Sequence, residues 1–145
     1  MSEMLLVVTL GGRAAALPAD RVHSVVEPTS VVPVPRAPAH VAGLAALRSP
    51  PLTIIDCRST LGLSSVHDAP ATRRVVVVEQ AGHLYGLSVD SADDMVAATG
   101  RLVALSADPG PGWDRAVLGM VETSAGPLLL LDIAVLVAGP EPIAA

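Results

Sequence analysis

A chain that contains the same sequence pattern twice must build the same supersecondary unit twice, which limits the fold more than any single motif can. Here LLVVTLGGRAAALPADRVHSVV (Leu5 to Val26) aligns without gaps with VVVVEQAGHLYGLSVDSADDMV (Val75 to Val96). The alignment superposes Val7/Val77, Val8/Val78, Gly12/Gly82, Leu17/Leu87, Asp20/Asp90 and Val26/Val96. A second block, GLAALRSPPLTIIDCRSTLGL (Gly43 to Leu63), aligns with GMVETSAGPLLLLDIAVLVAG (Gly119 to Gly139), matching Gly43/Gly119, Pro51/Pro127, Leu52/Leu128 and Asp56/Asp132. Two blocks in one order divide residues 1–145 into pseudo-repeated halves, about 5–63 and 75–139, within a single domain. Valine and leucine matches are cheap in so aliphatic a chain, so the shared Gly and Asp positions carry the alignment.

Each half reads as a strand, a glycine turn, a second strand, an irregular link, then a strand pair that ends in aspartate before a short helix. Gly11-Gly12 and Ala81-Gly82 supply the positive φ angles that two-residue hairpins require. Asp56 and Asp132 stand directly before helical stretches, where a carboxylate caps free backbone N–H groups. The prolines at 28, 33, 35 and 38 remove donors and hold their segment extended at a sheet edge. Ser64 to Thr72 and Ser106 to Gly112 have the composition of surface loops. Short strands, glycine turns and a duplication predict a mainly β fold of two small barrels, with the cleft between them as the default binding site.

Composition narrows the functional classes. Hydrophobic residues make up 51% of the 145, and only 16% are charged, so the chain can fill a core. That core is aliphatic: there is no Phe, one Trp and one Tyr. The formal net charge is −5, and the nine basic residues, all Arg, are scattered along the chain. Neither a basic footprint nor stacking aromatics are present for nucleic acid. The lone cysteine, Cys57, has no internal disulfide partner, which points to a reducing, cytoplasmic setting. The apolar run from Met4 to Leu10 lacks the basic flank of a signal peptide, and Leu128 to Val137 is too short for a bilayer span, so no membrane insertion is expected.

No arrangement of residues proposes catalysis or a cofactor. His23, His40, His67 and His83 form no ligand spacing, and no metal is expected. His67-Asp68 lies in a loop, Cys57 has no neighbouring histidine, and no motif combines nucleophile, base and oxyanion donors. Gly11-Gly12 lacks the spacing and following helix of a phosphate cradle. Trp113, after the PGPG loop, suits either an interface anchor or the plug of a barrel end.

The run VAGLAALRSPPLTIIDCRSTLGL (Val41 to Leu63) resembles the signature of the CheW family of chemotaxis coupling proteins, in which Leu-Arg precedes an apolar strand, an Asp and Leu-Gly. LLVVTLGG, RVVVVEQAGHLYGLSVDSADDMV and GMVETSAGPLLLLDIAVLV agree with the same family, so the resemblance covers essentially the whole chain. It implies a CheW-like fold of two small SH3-like β-barrel subdomains with short helices, without the receiver domain of the CheV type. It also implies a non-catalytic adaptor that couples the cytoplasmic tip of methyl-accepting chemoreceptors to the regulatory domain of the histidine kinase CheA, alongside other CheW-like proteins, in arrays at the membrane.

By resemblance, the receptor-facing groove is carried by Val25, Glu27, Gly43, Leu44, Leu47 and Arg48, with Glu27 and Arg48 paired at its rim. A guanidinium can hold a carboxylate through a planar contact that orients more than it stabilises. Patterning alone leaves core and groove equally open for Val25, Leu44 and Leu47. The chain departs from the family where Ser49-Pro50-Pro51 replaces the Gly after the arginine, and where RAAAL lacks an aromatic that the second half keeps as Tyr85. Those departures bear on partner choice. An adaptor of another chemosensory-type pathway, such as pilus motility, and a small-molecule-binding barrel are the alternative readings.

Overall fold

Unbroken apolar runs such as LLVV and VVVV build strands whose two faces are both covered, since β-branched residues suit extended backbone and neither face meets water. The computed structural model describes residues 3–27, 31–45, 51–63 and 74–139. Ten strands follow in chain order: β1 (Met4–Leu10), β2 (Arg13–Pro18), β3 (Val22–Val26), β4 (Val41–Ala45), β5 (Leu52–Asp56), β6 (Arg74–Gln80), β7 (His83–Val89), β8 (Ser91–Val103), β9 (Val117–Thr123) and β10 (Gly126–Leu131). Three short helices are α1 (Cys57–Thr60), α2 (Trp113–Ala116) and α3 (Ile133–Ala138). Asp56 caps α1 by accepting from the Arg58 and Ser59 N–H groups, and Asp132 caps α3 by accepting from Ala134 N–H. Both hairpin turns have positive φ at both central residues, 60° and 81° at Gly11-Gly12, and 53° and 81° at Ala81-Gly82.

The strands form a closed barrel, β1-β2-β10-β9-β8, and a five-stranded sheet in the order β3-β6-β7-β5-β4. Matched through the repeat, β8, β1, β2, β10 and β9 correspond to β3, β6, β7, β5 and β4, so the two sheets share one strand order. The halves have exchanged strands: β8 of the second half pairs with β1, and β3 of the first half pairs with β6. Each sheet is therefore built from both ends of the repeat.

Closure differs between the two units. β8 has 13 residues and reaches from β1 to β9, where Val103 pairs with Met120. β3 has only five residues, and the proline-bearing chain beyond it returns as a lone bridge between Val32 and Leu44. That bridge carries two mutual hydrogen bonds of 2.9 Å. It is the counterpart of the Val103–Met120 seam, and it fits the edge position expected for this segment; Pro28 lies outside the described residues. The matched glycines meet the seam in both units. A Cβ on Gly43 would overlap the Val32 carbonyl, and one on Gly119 would overlap the Val103 carbonyl.

Strand alternation divides the core in three. Leu6, Val8 and Leu10 of β1 and Val76 and Val78 of β6 point into a junction between the two units. Ala15, Leu17, Ile55 and Leu87 join them, together with residues of all three helices. The preceding residues Leu5 and Val75, on the opposite face of their strands, point to the small interiors of the barrel and the sheet. Those interiors are narrow: Ala16 fills one, and at the matching position of the other Gly86 has Val75 and Ile54 against it. The largest core thus lies between the units, and the centre of the expected cleft is packed. Trp113 is 5% exposed within this junction core, with the Arg13 guanidinium 4.9 Å from its ring centroid, so it plugs the fold.

Polar ties cross the junction. Asp90 Oδ2 accepts from Gly11 N–H at 2.8 Å and from Arg58 Nη1 at 2.9 Å, joining the β1–β2 turn to α1. The other hairpin is held by Arg21, which donates to the Glu79 carbonyl and to Gln80 Oε1. Carbonyls at the end of α3 accept from Thr60 Oγ1 and Arg115 Nη2, which serves groups that a helix end leaves unpaired.

Candidate partner-binding rim

Where the junction core reaches solvent along β3, the groove candidates come into view. Val25 pairs directly with Val76 on β6, so their side chains share one face of the sheet. Val76 is fully buried, whereas Val25 is 37% exposed, so one apolar row runs from core to surface between them. The neighbouring Val26 points to the sheet interior. Glu27 follows the last residue of β3 and is exposed. Gly43 is buried beneath the Val32 carbonyl, and Leu44, half-buried, pairs with Thr53. The Val32 bridge ties this second pair of candidates to the chain that leaves β3. Val32 and Val34 are themselves exposed. Leu47 and Arg48, with Ser49 and Pro50, lie outside the described residues.

Among the described residues, Glu27 is joined to Arg74. Its Oε1 lies 2.8 Å from Arg74 Nη1, with both side chains substantially exposed. The β3–β6 register explains the contact: Val26 stands opposite Val75, so the next residue on each strand meets across the ladder. The repeat alignment did not single out Arg74, because pairing between β3 and the other half cannot be read from a self-comparison. Knowing that the halves exchange strands would have supplied that register.

Cys57 is fully buried, and desolvation, followed by the charges of Asp56 and Asp90, raises its thiol's pKa well above the usual range. It is therefore held as a neutral thiol. Among the described residues no three His, Cys, Asp or Glu side chains gather as metal ligands, and no helix is long and apolar enough to cross a membrane. His67-Asp68 and the loop Ser64 to Thr72 lie outside the described residues.

These features describe two β units that exchange strands, with Val25 and Glu27 exposed together at the end of β3. The model of the CheW-like domain family matches residues 4–141, and the chain belongs to the CheW family of chemotaxis adaptor proteins. It is similar to "Chemotaxis protein CheW" of Rhizobium meliloti (strain 1021), with 30% identity over 104 residues. That match takes in 71% of this chain and 66% of the relative, just under two thirds of the latter's length. In structure it is similar to the scaffolding protein TtCheW from Thermoanaerobacter tengcongensis, with a TM-score of 0.77 and 22% identity, covering 92% of this chain and 86% of that one. The fold reading, mainly β with a barrel and short helices, agrees with that neighbour.

Proposed function

We propose that this protein is a cytoplasmic adaptor that couples methyl-accepting chemoreceptors to the histidine kinase CheA, with the helical receptor tip docking at Val25 and Glu27 and with Gly43, Leu44, Leu47 and Arg48 as further candidate receptor contacts. Family membership supports the adaptor role. The observation that carries the docking surface is the apolar row that surfaces at Val25 beside the exposed Glu27. Helix-in-groove recognition requires an apolar trough with few polar groups, bordered by charges that set orientation. A rigid junction core beneath that trough avoids the ordering cost that a loose surface would impose on binding.

Binding of the purified chain to receptor cytoplasmic fragments and to CheA from the same organism tests this reading. Val25→Arg places a charge where an apolar helix face must pack, and should weaken receptor binding at least tenfold, about 1.4 kcal/mol. Because Val25 is already 37% exposed, the fold should tolerate that change. Failure of the wild-type chain to bind either partner refutes the adaptor reading, and receptor binding unchanged by Val25→Arg removes this rim from it.

A further inference from the structure

We propose that Arg74 is a positioning residue of this rim, holding the Glu27 carboxylate in the orientation that a partner's hydrogen-bond donor meets; the assignment rests on the adaptor reading above. The ion pair has little to do for the fold itself. With the two side chains 49% and 65% exposed, solvent screens its effect on stability to little. Its geometry is nevertheless well defined, a 2.8 Å charge-assisted contact between Nη1 and Oε1.

The two residues differ in how firmly the backbone holds them. Arg74 opens β6, a strand hydrogen-bonded on both sides, and is itself paired with Val89 on β7. Glu27 lies just past the end of β3. A fixed strand therefore supplies the cation, and the terminal position supplies the carboxylate that needs fixing. Among the described residues the contact engages one carboxylate oxygen and one guanidinium nitrogen, so Oε2 retains acceptor capacity there.

Two residues before Glu27, Val25 offers the apolar surface. An apolar step followed by an oriented carboxylate suits a helical partner that carries a Lys, Arg, Asn or Gln donor beside its apolar face. Arg74 then acts on recognition through Glu27.

A double-mutant cycle on the full chain tests this, with affinity for a receptor cytoplasmic fragment measured at low and high salt. Arg74→Ala should weaken binding by up to about fivefold at low salt, with a smaller loss at high salt. Arg74→Lys, which keeps the charge, should recover part of the loss. In a Glu27→Ala background, Arg74→Ala should bring no further loss, because the acceptor it positions has gone. Wild-type affinity in Arg74→Ala, or an equal loss in both backgrounds, overturns the assignment while leaving the adaptor reading in place. A wild-type chain that binds no receptor fragment overturns the adaptor reading and this assignment with it.

Discussion

Alanine at Gly119 should force open the seam that closes the barrel. The added Cβ would overlap the Val103 carbonyl and lie 3.0 Å from Leu102 Cδ1. The leucine tip can move aside, but the carbonyl belongs to the backbone that pairs β8 with β9, and moving it disturbs the Val103–Met120 step. Overpacking of this kind costs about 1–3 kcal/mol. The backbone adds to that: Gly119 has φ 159°, a region that L residues rarely adopt, at a cost of about 1–3 kcal/mol. The sum, about 2–6 kcal/mol, is a large share of an ordinary domain stability of about 5–15 kcal/mol. With a urea m-value of about 2 kcal/mol/M, the midpoint should fall by about 1–3 M. Trp113, the only tryptophan and 5% exposed, reports unfolding by its fluorescence. Gly12→Ala is the control, since Gly12 has φ 81° with nothing within 4 Å of the added atom, leaving only a backbone cost of about 1–2 kcal/mol. A Gly119→Ala midpoint no lower than that of Gly12→Ala refutes the steric account of the seam.

Three further outcomes follow from the same physics. Asp132→Ala removes the acceptor for Ala134 N–H and should cost about 0.5–2 kcal/mol by urea unfolding; no loss means that the cap is idle. Asp90→Ala removes the carboxylate oxygen that accepts from both Gly11 N–H and Arg58 Nη1 and should cost about 1.5–3 kcal/mol, and the double variant with Arg58→Ala should lose less than the two single losses summed; additive losses contradict a shared tie. The Cys57 thiol in the folded chain titrates above its ordinary value of 9.0, so beyond pH 9 the unfolded chain releases a proton that the folded chain keeps. Stability should then fall as pH rises, by up to about 1.4 kcal/mol per pH unit from this group alone, and Cys57→Ala should flatten that slope; an equal slope in the variant refutes it.

Much of the fold was legible in the sequence because its devices are local. Glycine turns, aspartate caps and apolar runs each act within a few residues, and the repeat supplied their order twice. What the repeat could not supply was partnership. A self-alignment pairs equivalent residues but not neighbouring ones, so it gives no sign that β3 lies against β6 or that Glu27 meets Arg74. It also suggested two separate interiors, whereas VVVV and LLVV divide their side chains between a narrow interior and a broad junction core. Trp113 was undecided because a tryptophan after a glycine-rich loop satisfies either role; packing among α2, β1 and β2 residues decided it. Of the groove candidates, Val25 and Glu27 surface together at the end of β3, and Gly43 belongs to the seam. The matched carboxylates Asp20 and Asp90 diverge for a similar reason: Asp20 is exposed, whereas Asp90 ties a turn to a helix.

The most direct measurement of the adaptor role is three-component sedimentation, in which membranes or assembled fragments bearing chemoreceptor tips are spun down with CheA in the presence and absence of this chain. Coupling predicts that the chain raises the amount of kinase in the pellet, that it pellets itself, and that Val25→Arg reduces both effects. Kinase recovery that is the same with and without the chain contradicts the account.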